Sequence, residues 1–178
     1  MLTAALSAFA SGCGGRFSGE AELPDGWQTF EAQNFSFGHP GSWSKVTRRP
    51  ERDGRLVQVS GPPVEGGYTP FVGAIVSNDV ESDFETAYQF SEALGRARRG
   101  QRVLGREDVE LPGAKQARLT TSEFTVTGAS GEQVRIRDKA LFLISEDGLG
   151  IAFTASRPVA RPETLDLDAA IDSFRLEQ

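Results

Sequence analysis

A repeated alternation of apolar and polar residues restricts the fold of this chain more than any other feature. From Trp27 onward, short alternating segments are separated by turns rich in glycine and proline. Val57 and Val59, for example, alternate with polar residues. Such a period of two is typical of β-strands with one buried face, because successive side chains point to opposite sides. The denser apolar run of residues 70–79 predicts a central strand.

One predicted hairpin has a charged face. Two apolar segments flank residues 146–148, Glu-Asp-Gly, a sequence typical of a tight turn between antiparallel strands. In the first of these strands, Val134 and Ile136 alternate with Arg135 and Arg137. The arginines therefore share one face of the strand. We expect that face to be wetted by solvent or to contact a partner.

Two segments change to the period of 3.6 residues that predicts an amphipathic helix. The first, residues 82–100, opens with Ser82-x-x-Glu85, which is typical of a capping box, and closes on Gly100. The second covers residues 162–174. The predicted apolar faces are Ala87, Phe90, Leu94 and Ala97 in the first helix, and Leu167, Ala170, Ile171 and Phe174 in the second. These elements predict an α+β domain with a mainly antiparallel sheet and two covering helices.

Two charged clusters on the predicted helices invite a functional interpretation. One is basic and could contact anionic lipid or phosphate, but we favour a solvated helix end; it comprises Arg96, Arg98, Arg99 and Arg102. The other is acidic and comprises Asp166, Asp168 and Asp172. It lacks the twelve-residue loop and closing glutamate of an EF-hand, so we interpret it as a solvated helix face.

Composition excludes several classes of chemistry. The 178-residue chain has one cysteine and one histidine, Cys13 and His39, so it has no internal disulfide and no Cys/His zinc site. A formal charge of −6 argues against nucleic acid as the main partner. The adjacent carboxylates Glu107 and Asp108 would point to opposite faces of a strand and could not share a substrate. We therefore expect no enzyme activity, no metal and no cofactor.

The N-terminal residues are the strongest functional signal. Residues 1–12 carry no charge and are mostly small or apolar, as at the end of a signal peptide. As a helix they would span about 18 Å, too little to cross a hydrocarbon core of about 30 Å. The four residues Ala10 to Cys13 resemble a bacterial lipobox, whose cysteine receives a diacylglyceryl group and further acyl chains such as palmitate. Cys13 is therefore the predicted lipidation site; an incidental cysteine is the alternative.

The sequence after Cys13 predicts a linker and then one domain. Residues 13–25 are rich in glycine and serine, and a flexible tether of this length reaches about 20 Å. Residues 26–178 form the predicted globular domain, a length that suits a single core.

Several short motifs resemble a known family. They are Pro40 to Trp43 after an early strand, Gly113-Ala114 followed by Ala117 to Leu119, and Ser173-Phe174 near the C-terminus. Together they resemble the PsbP-like α/β/α sandwich and, more narrowly, the LpqN/LpqT-type lipoproteins of actinobacteria. The resemblance implies a lipid-anchored envelope protein without shared catalytic residues. Trp43 and Phe174 are expected to pack in the core.

These observations favour a non-catalytic lipoprotein at the outer, extracytoplasmic face of the cytoplasmic membrane. It would act as a binding or interaction module for an envelope protein or lipid. The alternative is a carrier of an apolar envelope lipid in a cavity between sheet and helix, with Tyr68 and Phe71 in its lining. Those aromatic residues would otherwise fill the core.

Overall fold

Two antiparallel sheets form most of the chain that the structure describes. The computed structural model describes residues 16–17, 22–51, 54–78, 80, 83–89 and 100–177. The main sheet contains β3 (Lys45–Glu51), β4 (Gly54–Ser60), β5 (Phe71–Ser77), β6 (Arg102–Asp108), β7 (Ala114–Thr127), β8 (Gln133–Ser145) and β9 (Gly150–Pro158). The small sheet contains β1 (Trp27–Glu31), β2 (Phe35–Pro40) and β10 (Arg175–Leu176). The strand orders are β3-β4-β5-β9-β8-β7-β6 and β1-β2-β10.

The predicted hairpin and central strand are confirmed. β8 and β9 are antiparallel neighbours, and the turn between them has Gly148 at φ +88°, a conformation that favours glycine. β5 lies between β4 and β9 and is therefore an interior strand. Its residues Val72, Ala74 and Val76 are buried, as expected of a central strand.

Helical segments cover both faces of the main sheet. Residues 84–89 form α1, which packs against Phe142 and Ile144 of β8. Leu167–Asp172 form α2, which contacts the opposite face of β8 and β9 and also β2. Glu65–Gly67 and Pro162–Thr164 form 3₁₀ turns. This layering confirms the predicted α+β class, with a mainly antiparallel sheet and helices on both sides.

The described part of α1 begins and packs differently from the prediction. The Asp83 carboxylate accepts hydrogen bonds from the backbone N–H of Thr86 at 3.0 Å and from its hydroxyl at 2.9 Å. Asp83 is therefore the cap of this helix; Ser82 and residues 90–99 lie outside the described residues. Phe84 and Tyr88, four residues apart, form the buried face, whereas Ala87 is only half-buried.

The second helix is shorter than predicted. The carboxylate of Asp166 accepts hydrogen bonds from the backbone N–H groups of Asp168 and Ala169, so the α-helix starts only at Leu167. The predicted inner face is nevertheless confirmed, because Leu167, Ala170 and Ile171 are buried. No helix among the described residues is long and apolar enough to cross a membrane.

Aromatic rings fill the space between the main sheet, the small sheet and α2. The ring of Phe174 lies 4.7 Å from that of Phe153 and 5.8 Å from that of Phe35, measured between centroids. Phe37 contacts both Phe35 and Phe153. All four side chains are fully buried, and Trp43 is 4% exposed. The prediction that Trp43 and Phe174 pack in the core is confirmed.

Candidate functional site

A row of charged side chains crosses the main sheet from edge to interior. In the strand register, Arg102 of β6 lies opposite Glu123 of β7, Glu123 opposite Arg137 of β8, and Arg137 opposite Arg157 of β9. Residues paired in this way share a face of the sheet. It is the α2 face, because Leu141 and Leu143 follow Arg137 on the same side of β8 and are buried in the main core. We call these four residues the arginine row.

Glu123 neutralises part of the charge in the arginine row. Its side chain is 6% exposed and is bound by Arg137, whose Nε donates to Oε1 at 2.9 Å, and by Arg135. The hydrogen bond from Arg137 is the main reason that the pKa of Glu123 lies below its ordinary value. Glu123 is therefore ionised at neutral pH and is shared between two arginines.

Arg157 has no carboxylate partner among the described residues. One terminal nitrogen donates to the Pro158 carbonyl at 3.1 Å, while Nε is buried and makes no hydrogen bond. Burial lowers the pKa of Arg157, and the charge of Arg137 across the strand pair lowers it further, against smaller opposing effects of Asp166 and Glu163. Two like charges directly opposite each other destabilise a sheet. The described part of the fold thus holds the Arg157 guanidinium opposite a like charge and without a direct carboxylate partner.

The arginine row borders a groove of about 650 Å³ between the sheet and the segment before α2. The sheet side contributes Leu104, Thr121, Arg137, Lys139 and Arg157, and the other wall is made by Pro162, Glu163 and residues 165–168. This volume lies within the range of small-molecule sites. Arg157 and Arg137 therefore lie in the lining of a site-sized groove.

The carboxylates of the groove wall are already engaged. Glu163 accepts a hydrogen bond from Nε of Arg161 at 2.6 Å. Asp166 caps α2, and Asp168 forms an ion pair with Lys139. Each of these acidic groups has its own hydrogen-bond or ion-pair partner within the described chain, and the charges of Asp166 and Glu163 offset only part of the unfavourable environment of Arg157.

Asp168 and Asp172 also hold the N-terminal segment. Nη2 of Arg16 lies 2.8 Å from Oδ1 of Asp168 and Nη1 lies 3.2 Å from Oε1 of Glu107, and Nε forms an ion pair with Asp172. The next residue, Phe17, is 1% exposed and belongs to the main core cluster. Burial alone would raise the pKa of Asp168, but the bonds from Lys139 and Arg16 lower it overall. The aspartates are thus ion-paired, rather than only solvated as predicted.

The N-terminal predictions mostly concern residues outside the described part of the chain. Cys13, the predicted lipidation site, lies there, and so do Arg96, Arg98 and Arg99 of the basic cluster. The tether predicted for residues 13–25 and the domain boundary at residue 26 stay predictions. The structure adds that Arg16 and Phe17 lie on the folded domain.

Other predicted residues do not come together in a site. Glu107 contacts Arg16 on the α2 face, whereas Asp108 contacts Arg118, which also binds Glu85 of α1. The two carboxylates therefore point to opposite faces of β6, as the alternation predicts. Among the described residues, no group of three or more histidine, cysteine, aspartate or glutamate side chains is arranged to hold a metal ion.

The aromatic residues considered for a lipid cavity lie elsewhere. The Tyr68 hydroxyl is 2.7 Å from the Ser156 hydroxyl, and Phe71 is half-buried in β5. Neither residue lines the groove, nor a second cavity of about 420 Å³ bordered by Arg48 and Arg55.

His39 is a buried residue of β2, 3% exposed, and its neutral form is satisfied. Nδ1–H donates to the Pro40 carbonyl at 3.0 Å, and Nε2 accepts from the Gln28 amide at 3.5 Å. Burial lowers the pKa of His39 below its ordinary value of 6.5. It contributes to the domain's stability, and it lies outside the groove lining.

We expect the free energy of unfolding to fall as the pH drops below about 6.5, because unfolded His39 takes up a proton that the folded protein resists. Neutral His39 contributes its full stability at pH values above the pKa that it has in the unfolded chain. That contribution is lost as the pH falls toward the lower pKa that His39 has in the folded protein. Urea unfolding at pH 7.5 and 5.5 measures the loss, and His39→Gln should reduce it. An equal loss in the variant would contradict this role.

Comparison with known proteins finds a distant likeness of fold. No family model matches the sequence, and no curated protein matches it. Among solved structures, the chain is similar to LpqN of Mycobacterium tuberculosis, described as involved in cell envelope biogenesis. The two are 14% identical over 89% of this chain and 82% of that chain, with a TM-score of 0.46. A likeness at this level carries no argument about what the chain does.

Proposed function

We propose that this protein is a lipid-anchored protein of the cell envelope that acts as a non-catalytic binding module, with the groove beside the arginine row as its binding site. The observation that carries the binding role is Arg157. Its buried Nε has no hydrogen-bond partner in the part of the chain that the structure describes, and Arg137 lies directly across from it. A buried donor without a partner calls for an explanation, and the one that we propose is a role in binding.

The anchoring role rests on the lipobox-like residues Ala10 to Cys13, and the contacts of Arg16 would determine how far an anchor lies from the groove. Three residues of chain span at most about 11 Å, so the backbone of a lipidated Cys13 would lie within that distance of the Arg16 backbone. Arg16 binds Asp168, which lines the groove. A lipid-anchored form would therefore hold the groove close to the membrane surface.

The test of the anchor is Cys13→Ala in cells that produce the full protein. We expect the wild-type protein in the membrane fraction, with a mass increase at Cys13 that corresponds to attached acyl chains. The variant should move to the soluble fraction, because two or three acyl chains supply the membrane affinity. Ser18→Ala, a small change outside the lipobox, is the matched control and should stay with the membrane.

Retention of the Cys13→Ala protein in the membrane fraction, or absence of the mass increase from the wild-type protein, would overturn the lipoprotein proposal. Native mass spectrometry of the purified protein separates the binding module from an apolar carrier. A carrier would retain an uncharged lipid, and that lipid would remain bound after substitution of Arg157.

A further inference from the structure

We propose that the groove beside the arginine row binds a zwitterion, a molecule or headgroup with an anionic oxygen group and an ammonium group a few bonds apart. The inference rests on the proposed function in one respect, that the groove is a binding site, and it adds the chemical class of the ligand. It does not depend on lipidation of Cys13.

The charged side chains that line the groove are equal in number and lie on different walls. The sheet side contributes three cations and the opposite wall three carboxylates: Arg137, Lys139 and Arg157, and Glu163, Asp166 and Asp168. These charges sum to zero at neutral pH, so the lining does not favour a ligand with a net charge. A ligand with one charge of each sign can interact favourably with both walls.

Two of these six side chains are not engaged in an ion pair. The ion pairs formed by the other four are Lys139–Asp168, Arg137–Glu123 and Arg161–Glu163. Arg157 and Asp166 form no ion pair with any residue that the structure describes, although the charge of Asp166 acts on Arg157. One cation and one carboxylate are therefore left to interact with a ligand.

Each of these two side chains also has an unused hydrogen-bonding atom. Nη1 of Arg157 donates to the Pro158 carbonyl, whereas Nη2 has no partner in the described chain and, unlike Nε, is not buried. Oδ1 of Asp166 accepts both capping hydrogen bonds, from the N–H groups of Asp168 and Ala169. Oδ2 accepts none from the described residues, and Asp166 is exposed. A donor on one wall and an acceptor on the other are thus available.

A zwitterion satisfies both atoms at once. Its anionic oxygen group accepts from the guanidinium, whose planar fork of N–H donors suits carboxylate and phosphate oxygens. Its ammonium group, which has three N–H donors, donates to Oδ2 of Asp166. A ligand with only the anionic group would leave Asp166 without a donor and place a negative charge near it. The volume of about 650 Å³ leaves room for the rest of the molecule.

Two sources supply this pair of groups, a free amino acid and the headgroup of phosphatidylethanolamine. The experiment uses the full chain with Cys13→Ser, so that binding is measured without an anchor. Calorimetric titration with L-alanine tests the soluble source, and propionate and ethylamine are its analogues without the ammonium and without the carboxylate. Co-sedimentation with phosphatidylcholine vesicles that contain phosphatidylethanolamine tests the lipid source, and phosphatidylglycerol in its place removes the ammonium. We expect binding of at least one zwitterion, and weaker binding of its singly charged analogues.

Arg157→Gln and Asp166→Asn should each weaken binding of the zwitterion about tenfold or more, since a hydrogen bond between charged groups is lost. Asparagine caps a helix as well as aspartate does, so Asp166→Asn keeps the start of α2. This variant should not weaken binding of propionate or phosphatidylglycerol, whereas a purely structural role of Asp166 would weaken every ligand alike. Arg55→Gln removes a positive charge at the second cavity and should leave binding unchanged.

Three results would overturn the inference: binding of neither zwitterion, a singly charged analogue that binds as tightly as its zwitterion, or equal weakening by Arg157→Gln and Arg55→Gln. The first two are measured without substitutions in the groove, so they do not depend on the folding of a variant. Binding of propionate or phosphatidylglycerol alone, with dependence on Arg157, would reject the zwitterion and keep the groove as a binding site. Failure of membrane anchoring would leave these titrations unaffected, so the proposals fail separately.

Discussion

Phe17→Ala should lower the free energy of unfolding by about 3 kcal/mol, because the phenyl ring is 1% exposed within the main core cluster. The vacated space would be left empty or would admit water, and the neighbouring core side chains would lose their packing contacts. Urea denaturation of the full chain measures the change. This outcome is informative because Phe17 lies inside the segment predicted to be a tether.

Leu104→Ala is the matched control, since Leu104 is 41% exposed on β6 and its truncation removes little buried surface. A chain that starts at residue 22 should lose at least as much stability as Phe17→Ala, because it also lacks the ion pairs of Arg16. If Phe17→Ala and the shortened chain both unfold within 1 kcal/mol of the parent, the contact of the N-terminal segment with the domain makes no net contribution.

Phe174→Ala should be the most damaging single truncation of those discussed, with a loss of about 3–5 kcal/mol. Phe174 is fully buried and its ring contacts Phe153 of β9 and Phe35 of β2. It thereby joins the small sheet to the main sheet. Loss of this ring should leave a cavity at the junction, and the loss of stability should appear in thermal and urea unfolding alike.

Ile75→Ala provides the comparison for Phe174→Ala, because Ile75 is 44% exposed on the other face of β5. Its expected loss is well under that of Phe174→Ala. A loss below about 1.5 kcal/mol for Phe174→Ala would show that the core repacks around the gap, and that the small sheet is held mainly by its own contacts.

The strands could be predicted because the residue pattern that indicates a strand involves only neighbouring residues. Alternation over a few residues is enough to show which side chains are buried, as Val57 and Val59 confirm, and a dense apolar run indicated the interior strand β5. The helix boundaries were less predictable. Asp83 and Asp166 cap the two helices, and the choice between neighbouring polar residues as caps depends on backbone geometry that a sequence pattern does not specify.

Only part of the candidate site could be predicted from the sequence. The alternation at Arg135 and Arg137 indicated a polar face, but Arg157 was missed because it belongs to another strand. The sequence did contain a signal for Arg157. In a hairpin whose turn is centred on Asp147, residues at equal distances before and after the turn lie opposite each other. Ten positions on either side are Arg137 and Arg157. The docking of Phe17 had no local signal, since a single aromatic residue among glycines shows no periodicity.

The ion pairs of Arg16 have a quantitative consequence for a lipid-anchored form. A free linker of a dozen residues would let the attachment point explore a radius of about 20 Å, whereas three residues allow at most about 11 Å. Because volume scales with the cube of the radius, the volume that the attachment point can explore shrinks about sixfold. The effective concentration of the groove near ligands in the membrane rises by the same factor. Weak affinity in solution could then suffice for occupancy at the bilayer.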